Sequence, residues 1–196
     1  MLKIKIDIRS IFRKGIKIRE DNFLVALITG EQGTGKSYYA IYNVEKNYKN
    51  RVIYTNIHSF KSDYSEVRYF NKISDLYNNH DINAVFIIDE LSKKYVKDSK
   101  IDLQFYSWLQ QSRKHQRTVF LITQEYMQVP NWLRGVATLV YTTSKLPFNL
   151  IKTTLGFPVL DTDSYDWVLN EISLLIYKRN KKIANKYDTF ELINEL

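Results

Sequence analysis

The sequence predicts an α/β fold with a central, mainly parallel sheet flanked by helices. Apolar runs of strand length alternate with amphipathic segments of helix length. The runs "FLVALIT" and "AVFIID" are almost wholly apolar. That is the pattern of strands buried on both faces of a parallel sheet. Between the first run and the first helical segment lies "GEQGTGKS", residues 30–37. A glycine-rich strand-to-helix turn at that place is a phosphate cradle.

The elements follow in chain order. "LKIKIDI" (2–8) alternates strictly and predicts a half-buried strand, which with "GIKIR" (15–19) forms an N-terminal hairpin. "FLVALIT" (23–29) is the first buried strand. Residues 36–49 predict a helix, with Ala40, Ile41, Val44 and Tyr48 on one face. "RVIYTNI" (51–57) is a second strand and "NKISDLYN" (71–78) a short helix. "AVFIID" (84–89) is the third strand. Residues 101–117 predict a helix that turns Ile101, Phe105, Trp108 and Leu109 inward. "TVFLIT" (118–123) and "TLVYTT" (138–143) are the fourth and fifth strands. Residues 145–165 hold two of the three prolines and predict a loop or excursion, while 166–177 fit a strand or a helix. The expected organisation is one domain over residues 1–196. Residues 1–22 are the terminal hairpin, 23–144 the core, and 145–196 an extension packed on that core.

Composition narrows the function classes. The chain has 196 residues, 44% hydrophobic and 26% charged, as expected of a soluble globular protein with a sizeable core. It has no cysteine, which excludes disulfides and thiolate metal sites. His58, His80 and His115 show no metal-ligand spacing. The longest clean apolar run, residues 23–28, is far short of the roughly 20 residues that span a bilayer. The first ten residues have no apolar signal-peptide core, so the protein is expected in a cytoplasm or a particle rather than secreted. The net charge of +8 fits a polyanionic partner such as nucleic acid. It fits equally a lysine-rich chain from an AT-biased genome.

Gly30, Gly35, Lys36 and Ser37 match G-x4-G-K-[ST]. Glycines let successive backbone N–H groups turn onto phosphates, and the helix N-terminus adds favourable partial charge. Gly30, Gln32, Gly33, Thr34, Gly35, Lys36, Ser37 and Tyr38 are the candidate ATP contacts. Lys36 reaches the β- and γ-phosphates, and Ser37 holds Mg²⁺. Asp89, at the end of "AVFIIDE", is the second candidate metal residue. Glu90 beside it can orient and activate water, which points to hydrolysis rather than transfer to an acceptor. Gln124 closes the fourth strand, where a side chain faces the γ-phosphate.

These motifs together resemble the FtsK–HerA superfamily of DNA-pumping ATPases. "VIYTNI", "WLQQSRKHQRTVFLITQ" and "IANKYDT" are similar to features of its viral and mobile-element branch, including the Zot-like phage assembly proteins. The resemblance covers roughly residues 23–144. It implies a RecA-like sheet of order 5-1-4-3-2 and a motor that moves DNA, working as a homo-oligomeric ring, expected to be a hexamer. It further implies a role in packaging a viral genome, with double-stranded DNA as partner, in host cytoplasm or virion. A Zot-like assembly or extrusion ATPase with virion or membrane partners is the alternative. A small-molecule kinase and an ATP-switched scaffold are others. The chain departs from Zot-like proteins in having no transmembrane segment in this sequence.

Basic residues fill out the expectation. Lys93, Lys94, Lys97 and Lys100 follow Glu90, where a motor touches DNA phosphates. Arg113, Arg117 and Arg134 are candidate arginine fingers for a neighbour's γ-phosphate. Arg113 and Arg117 would equally suit a helix C-terminal dipole.

Overall fold

The computed structural model describes residues 23–188. The expected N-terminal hairpin lies outside the described residues. The first strand, β1 (Leu24–Thr29), is buried at every position. Its side chains alternate between two cores. Leu24, Ala26 and Ile28 pack with Tyr38, Ile41 and Val44 of α1 (Lys36–Asn47). Val25 and Leu27 pack with Phe105, Trp108 and Leu109 of α2 (Leu103–Gln110). Strands β4 (Val85–Ile88) and β5 (Thr118–Ile122) are divided in the same way between the two cores. A strand covered on both faces needs no polar side, which is why these segments read as continuous apolar runs.

The sheet has eight strands in the order β3-β2-β4-β5-β1-β6-β7-β8. Here β2 is Ile53–Thr55, β3 Val67–Tyr69, β6 Leu139–Leu146, β7 Leu150–Asp161 and β8 Asp166–Lys178. The whole order therefore differs from the expected one by three added strands. Within it, β6-β1-β5-β4-β2 keeps the expected 5-1-4-3-2 sequence, all of it parallel.

Several boundaries are corrected. Residues 145–165 are mostly strand rather than loop, because β7 pairs antiparallel with β6 and then β8. Pairing of β7 with β6 ends at Gly156, whereas its pairing with β8 continues to Asp161. Pro158 thus lies where β7 has a neighbour on one side only, so its missing N–H costs no central ladder bond. Residues 166–177 are strand. The short three-residue β3 was not anticipated. "NKISDLYN" shrinks to a 3-10 turn, Ile73–Leu76. Helix α2 starts only after Asp102, whose side chain caps it by accepting from Phe105 N at 3.0 Å. Ile101 precedes that cap and is 44% exposed, so it does not face the core as expected. The helix ends at Gln110 rather than at 117, and turns follow as far as Gln116, whose φ is 53°.

Beyond β8 the chain crosses back over α1. The helix α3 (Asn131–Arg134) has already tied β8 to the core, as described below, and α4 (Lys181–Ala184) packs on α1. Lys186 Nζ then lies 2.7 Å from Glu45 Oε2 and 2.8 Å from Asp63 Oδ2. This anchors Tyr187 and Asp188 beside the carboxyl ends of the parallel strands. Among the described residues no helix is long and apolar enough to cross a membrane.

Candidate active site

The phosphate cradle sits where β1 meets α1. Gly30 has φ +143°, and a Cβ there would lie 2.3 Å from Thr143 O. Gly35 caps α1 in the left-handed region, with φ +94°, and its Cβ would meet Ile151 Cδ1 at 2.9 Å. Neither position accepts a side chain without movement. The loop is fastened on both flanks. Gly30 N donates to Gln124 O at 2.9 Å, and Thr34 Oγ1 lies 2.9 Å from Thr143 Oγ1. Lys36 folds over it, donating to Gly30 O at 2.8 Å and Glu31 O at 2.9 Å. Burial holds the Lys36 ammonium below the ordinary lysine value, while Asp89 and Glu90 pull it back up.

Ser37 and Asp89, the two residues expected to hold a metal, lie in contact. Ser37 Oγ donates to Asp89 Oδ2 at 2.5 Å. Burial pushes the Asp89 carboxyl up, against the Ser37 bond and the Glu90 N–H that stabilise its charge. No ion pair neutralises Asp89 among the described residues. A buried hard carboxylate beside a hydroxyl fits a Mg²⁺ ion, which takes oxygen ligands and keeps several waters. Ser37 and Asp89 would hold it.

Asn56 explains the Thr-Asn ending of the second strand. Its side chain donates to Asp89 O at 2.9 Å and accepts from Asp89 N at 2.8 Å. The end of β2 thereby clamps the end of β4. Asn56 was not among the expected site residues. Its signal in the sequence was a motif without an assigned role.

Past the clamp, Glu90 adopts φ 54°, ψ 42°. The left-handed region costs a residue with a side chain on the order of 1 kcal/mol. Such strain is kept where surrounding bonds impose it. Glu90 Oε2 lies 2.7 Å from Lys93 Nζ, with both side chains partly exposed. Glu90, Gln124 and the cradle residues Gln32 to Ser37 line one cavity, so the structure brings these expected residues together. The same cavity is walled by Lys145, Asn149, Ile151, Arg179, Tyr187 and Asp188, all from the segment beyond residue 144. None of these was anticipated, because the cavity forms only when β6, β7 and β8 extend the sheet beside β1.

Other expected residues lie elsewhere. The Tyr38 side chain is fully buried, its ring stacked toward Tyr42 and Tyr177, and its hydroxyl accepts from Asn180 N at 2.8 Å. Only its backbone remains for a nucleotide. Arg134 is 1% exposed. Its guanidinium lies 2.7 Å from Asp166 Oδ1 and donates to Trp167 O at 2.8 Å. Arg117 is equally buried, donating to Asn79 O and lying over Trp108 at 5.0 Å. A finger must leave its own subunit, and buried, engaged guanidinia cannot do so; both residues hold the fold. Arg113 is exposed at the far end of the sheet, over the Phe23 ring at 5.4 Å.

The family model described as "Zonular occludens toxin (Zot)" matches residues 24–163, more than half of the chain. The chain belongs to the Zot family. Its fold is also that of the N-terminal domain of zonular occludens toxin from Neisseria meningitidis, with TM-score 0.64 and 18% identity over 84% of this chain and 98% of that one. The genome packaging NTPase B204 of Sulfolobus turreted icosahedral virus 2, solved with ATP-gammaS, superposes with TM-score 0.53. It is 14% identical over 80% of this chain and 97% of that one. The RadB recombinase gives TM-score 0.55 and 14% identity over 81% and 88% of the two chains. A comparison with curated protein sequences gives no match. Family, RecA-like sheet, phosphate cradle and the Asp89–Glu90 pair together make this Zot-family chain a P-loop ATPase.

Proposed function

We propose that this ATPase moves DNA, as the genome-packaging motor of a virus or mobile element. The observation that carries the reading is the path from Glu90 into the basic loop. Ser92 lines the nucleotide cavity, Lys93 pairs with Glu90, and Lys97 and Lys100 are exposed a few residues on. The loop is held in place by Tyr95, whose hydroxyl donates to Asp102 Oδ2 at 2.6 Å. A DNA phosphate that draws Lys93 away leaves Glu90 for the attacking water. An exposed pair of this kind is worth only about 0.2–1 kcal/mol, so the exchange is cheap.

In the reaction, Ser37 and Asp89 would hold Mg²⁺, which would supply charge stabilisation to the γ-phosphate oxygens. Lys36 leaves the loop carbonyls for the β- and γ-phosphate oxygens. Glu90 takes the proton of the attacking water, and Gln124 faces the γ-phosphate from the end of β5. The assembly is a homo-oligomeric ring, a hexamer, in which Arg113 reaches the neighbour's cradle. Mixing Arg113→Ala with Lys36→Ala subunits then restores turnover that neither shows alone. Failure to restore any removes Arg113 from that role.

The test of the DNA reading is salt dependence. Duplex binding weakens with a log–log slope of about −0.9 per phosphate neutralised. Changing Lys94, Lys97 and Lys100 together to Gln, with Lys93 kept as the partner of Glu90, flattens the slope and leaves basal ATP turnover in place. An unchanged slope excludes the loop as the DNA contact. The family match favours a second reading, an ATPase of phage assembly or extrusion with a virion or membrane partner. Absence of any duplex binding at low salt puts that reading ahead. Either role places the chain in the host cytoplasm or on the virion.

A further inference from the structure

We propose that Arg179 binds the α-phosphate end of the nucleotide, in cis, from the end of β8. The inference rests on the ATPase reading above and adds a residue from outside the P-loop core. Arg179 follows the last residue of β8 and lines the same cavity as the cradle. Its position is fixed by bonds on both sides. Arg179 N donates to Asn149 O at 3.0 Å, and Asn180 N donates to the Tyr38 hydroxyl at 2.8 Å. The guanidinium lies over the Tyr38 ring at 5.7 Å, next to the first turn of α1. The contact of Ile151 with Gly35 closes the same wall from β7.

Which end of the nucleotide Arg179 meets follows from the sheet. Glu90 and Gln124 arrive from β4 and β5, on one side of β1. Arg179 arrives by β6, β7 and β8, on the other. The γ-phosphate belongs beside Glu90, where water attacks. The polyphosphate then runs along the cradle N–H groups away from Glu90, so its α-phosphate and ribose face the wall that carries Arg179. The charges agree. Among the described residues Arg179 has no carboxylate within ion-pair distance, and a second cation, Lys145, lines the same wall. A guanidinium beside a ring at the wall of the cradle's cavity, with no carboxylate partner, is available to an anion there.

Calorimetric titration of the intact protein with ADP and with a non-hydrolysable ATP analogue, each with Mg²⁺, tests this. Arg179→Ala weakens both nucleotides by about tenfold, to the same extent, because both carry the α-phosphate. Arg179→Lys recovers part of the loss. Thermal melting of each variant stays close to that of the unchanged protein, since the side chain gives up only its contact with the Tyr38 ring. A loss confined to the ATP analogue places Arg179 at the γ-phosphate and overturns the assignment. Equal affinity of Arg179→Ala and the unchanged chain for both nucleotides overturns it as well, with the ATPase reading intact. If the unchanged chain binds neither nucleotide, the ATPase reading itself falls and this inference with it.

Discussion

Glu90→Gln binds ATP with near-normal affinity and hydrolyses it about 10²- to 10⁴-fold more slowly in a single turnover. The amide keeps the size of the side chain and cannot take a proton. Backbone geometry isolates the effect. Asn56 holds Asp89 from both its N–H and its carbonyl, so the end of β4 stays in place when the next side chain changes. Ser37 and Asp89, the metal-side pair, are untouched. The substitution also removes the charge partner of Lys93, but that exposed pair contributes too little to account for a hundredfold loss. Single-turnover hydrolysis within a few-fold of normal would move the general base to another residue.

Arg134→Ala destabilises the fold by about 3 kcal/mol. The arginine is fully enclosed and its partner Asp166 is one-quarter exposed, so truncation strands a carboxylate in a partly dry site. Some solvent reaches Asp166, which keeps the loss at the lower end for a broken buried pair. The bond from Arg134 to Trp167 O is lost with it, and so is the contact with the Tyr126 ring. At about 2–4 °C per kcal/mol for a chain of this size, the melting temperature falls by roughly 10 °C. Gly135 shares the design: a Cβ there would strike Trp167 Nε1 at 2.6 Å. Together they pin the start of the strand whose end carries Arg179. A normal melting temperature in Arg134→Ala would return the residue to the list of candidate fingers.

The core strands and the cradle were legible because their physics is local. A strand buried on both faces is apolar at every position, and the cradle's glycines and lysine are adjacent in sequence. Asp89 and Glu90 stand next to each other at the exit of such a strand. What was not legible depends on distant partners. In β7, Ile151, Thr153 and Leu155 face inward, but Pro158 within it, Pro147 just before it and the intervening threonines and lysine blur the alternation. Arg134 resembled a finger because its partners, Asp166 and Trp167, come from a strand more than thirty residues away. Arg117 is a core residue for a like reason, its guanidinium reaching the carbonyl of Asn79. Arg179 stood in the basic run "YKRNKK", which has the look of a solvated face. Only the addition of β6, β7 and β8 beside β1 brings it to the wall of the cradle's cavity. Asn56 was visible as a motif, yet its two bonds to Asp89 exist only once β2 and β4 pair.

Steady-state ATP turnover of the intact chain with and without duplex DNA decides whether this ATPase is a DNA motor. A DNA motor shows magnesium-dependent turnover that rises on adding duplex DNA at low salt, whatever its sequence. That rise fades as salt increases. Turnover that is identical with and without DNA at every salt concentration would contradict a DNA motor, and absence of turnover in both would contradict the ATPase.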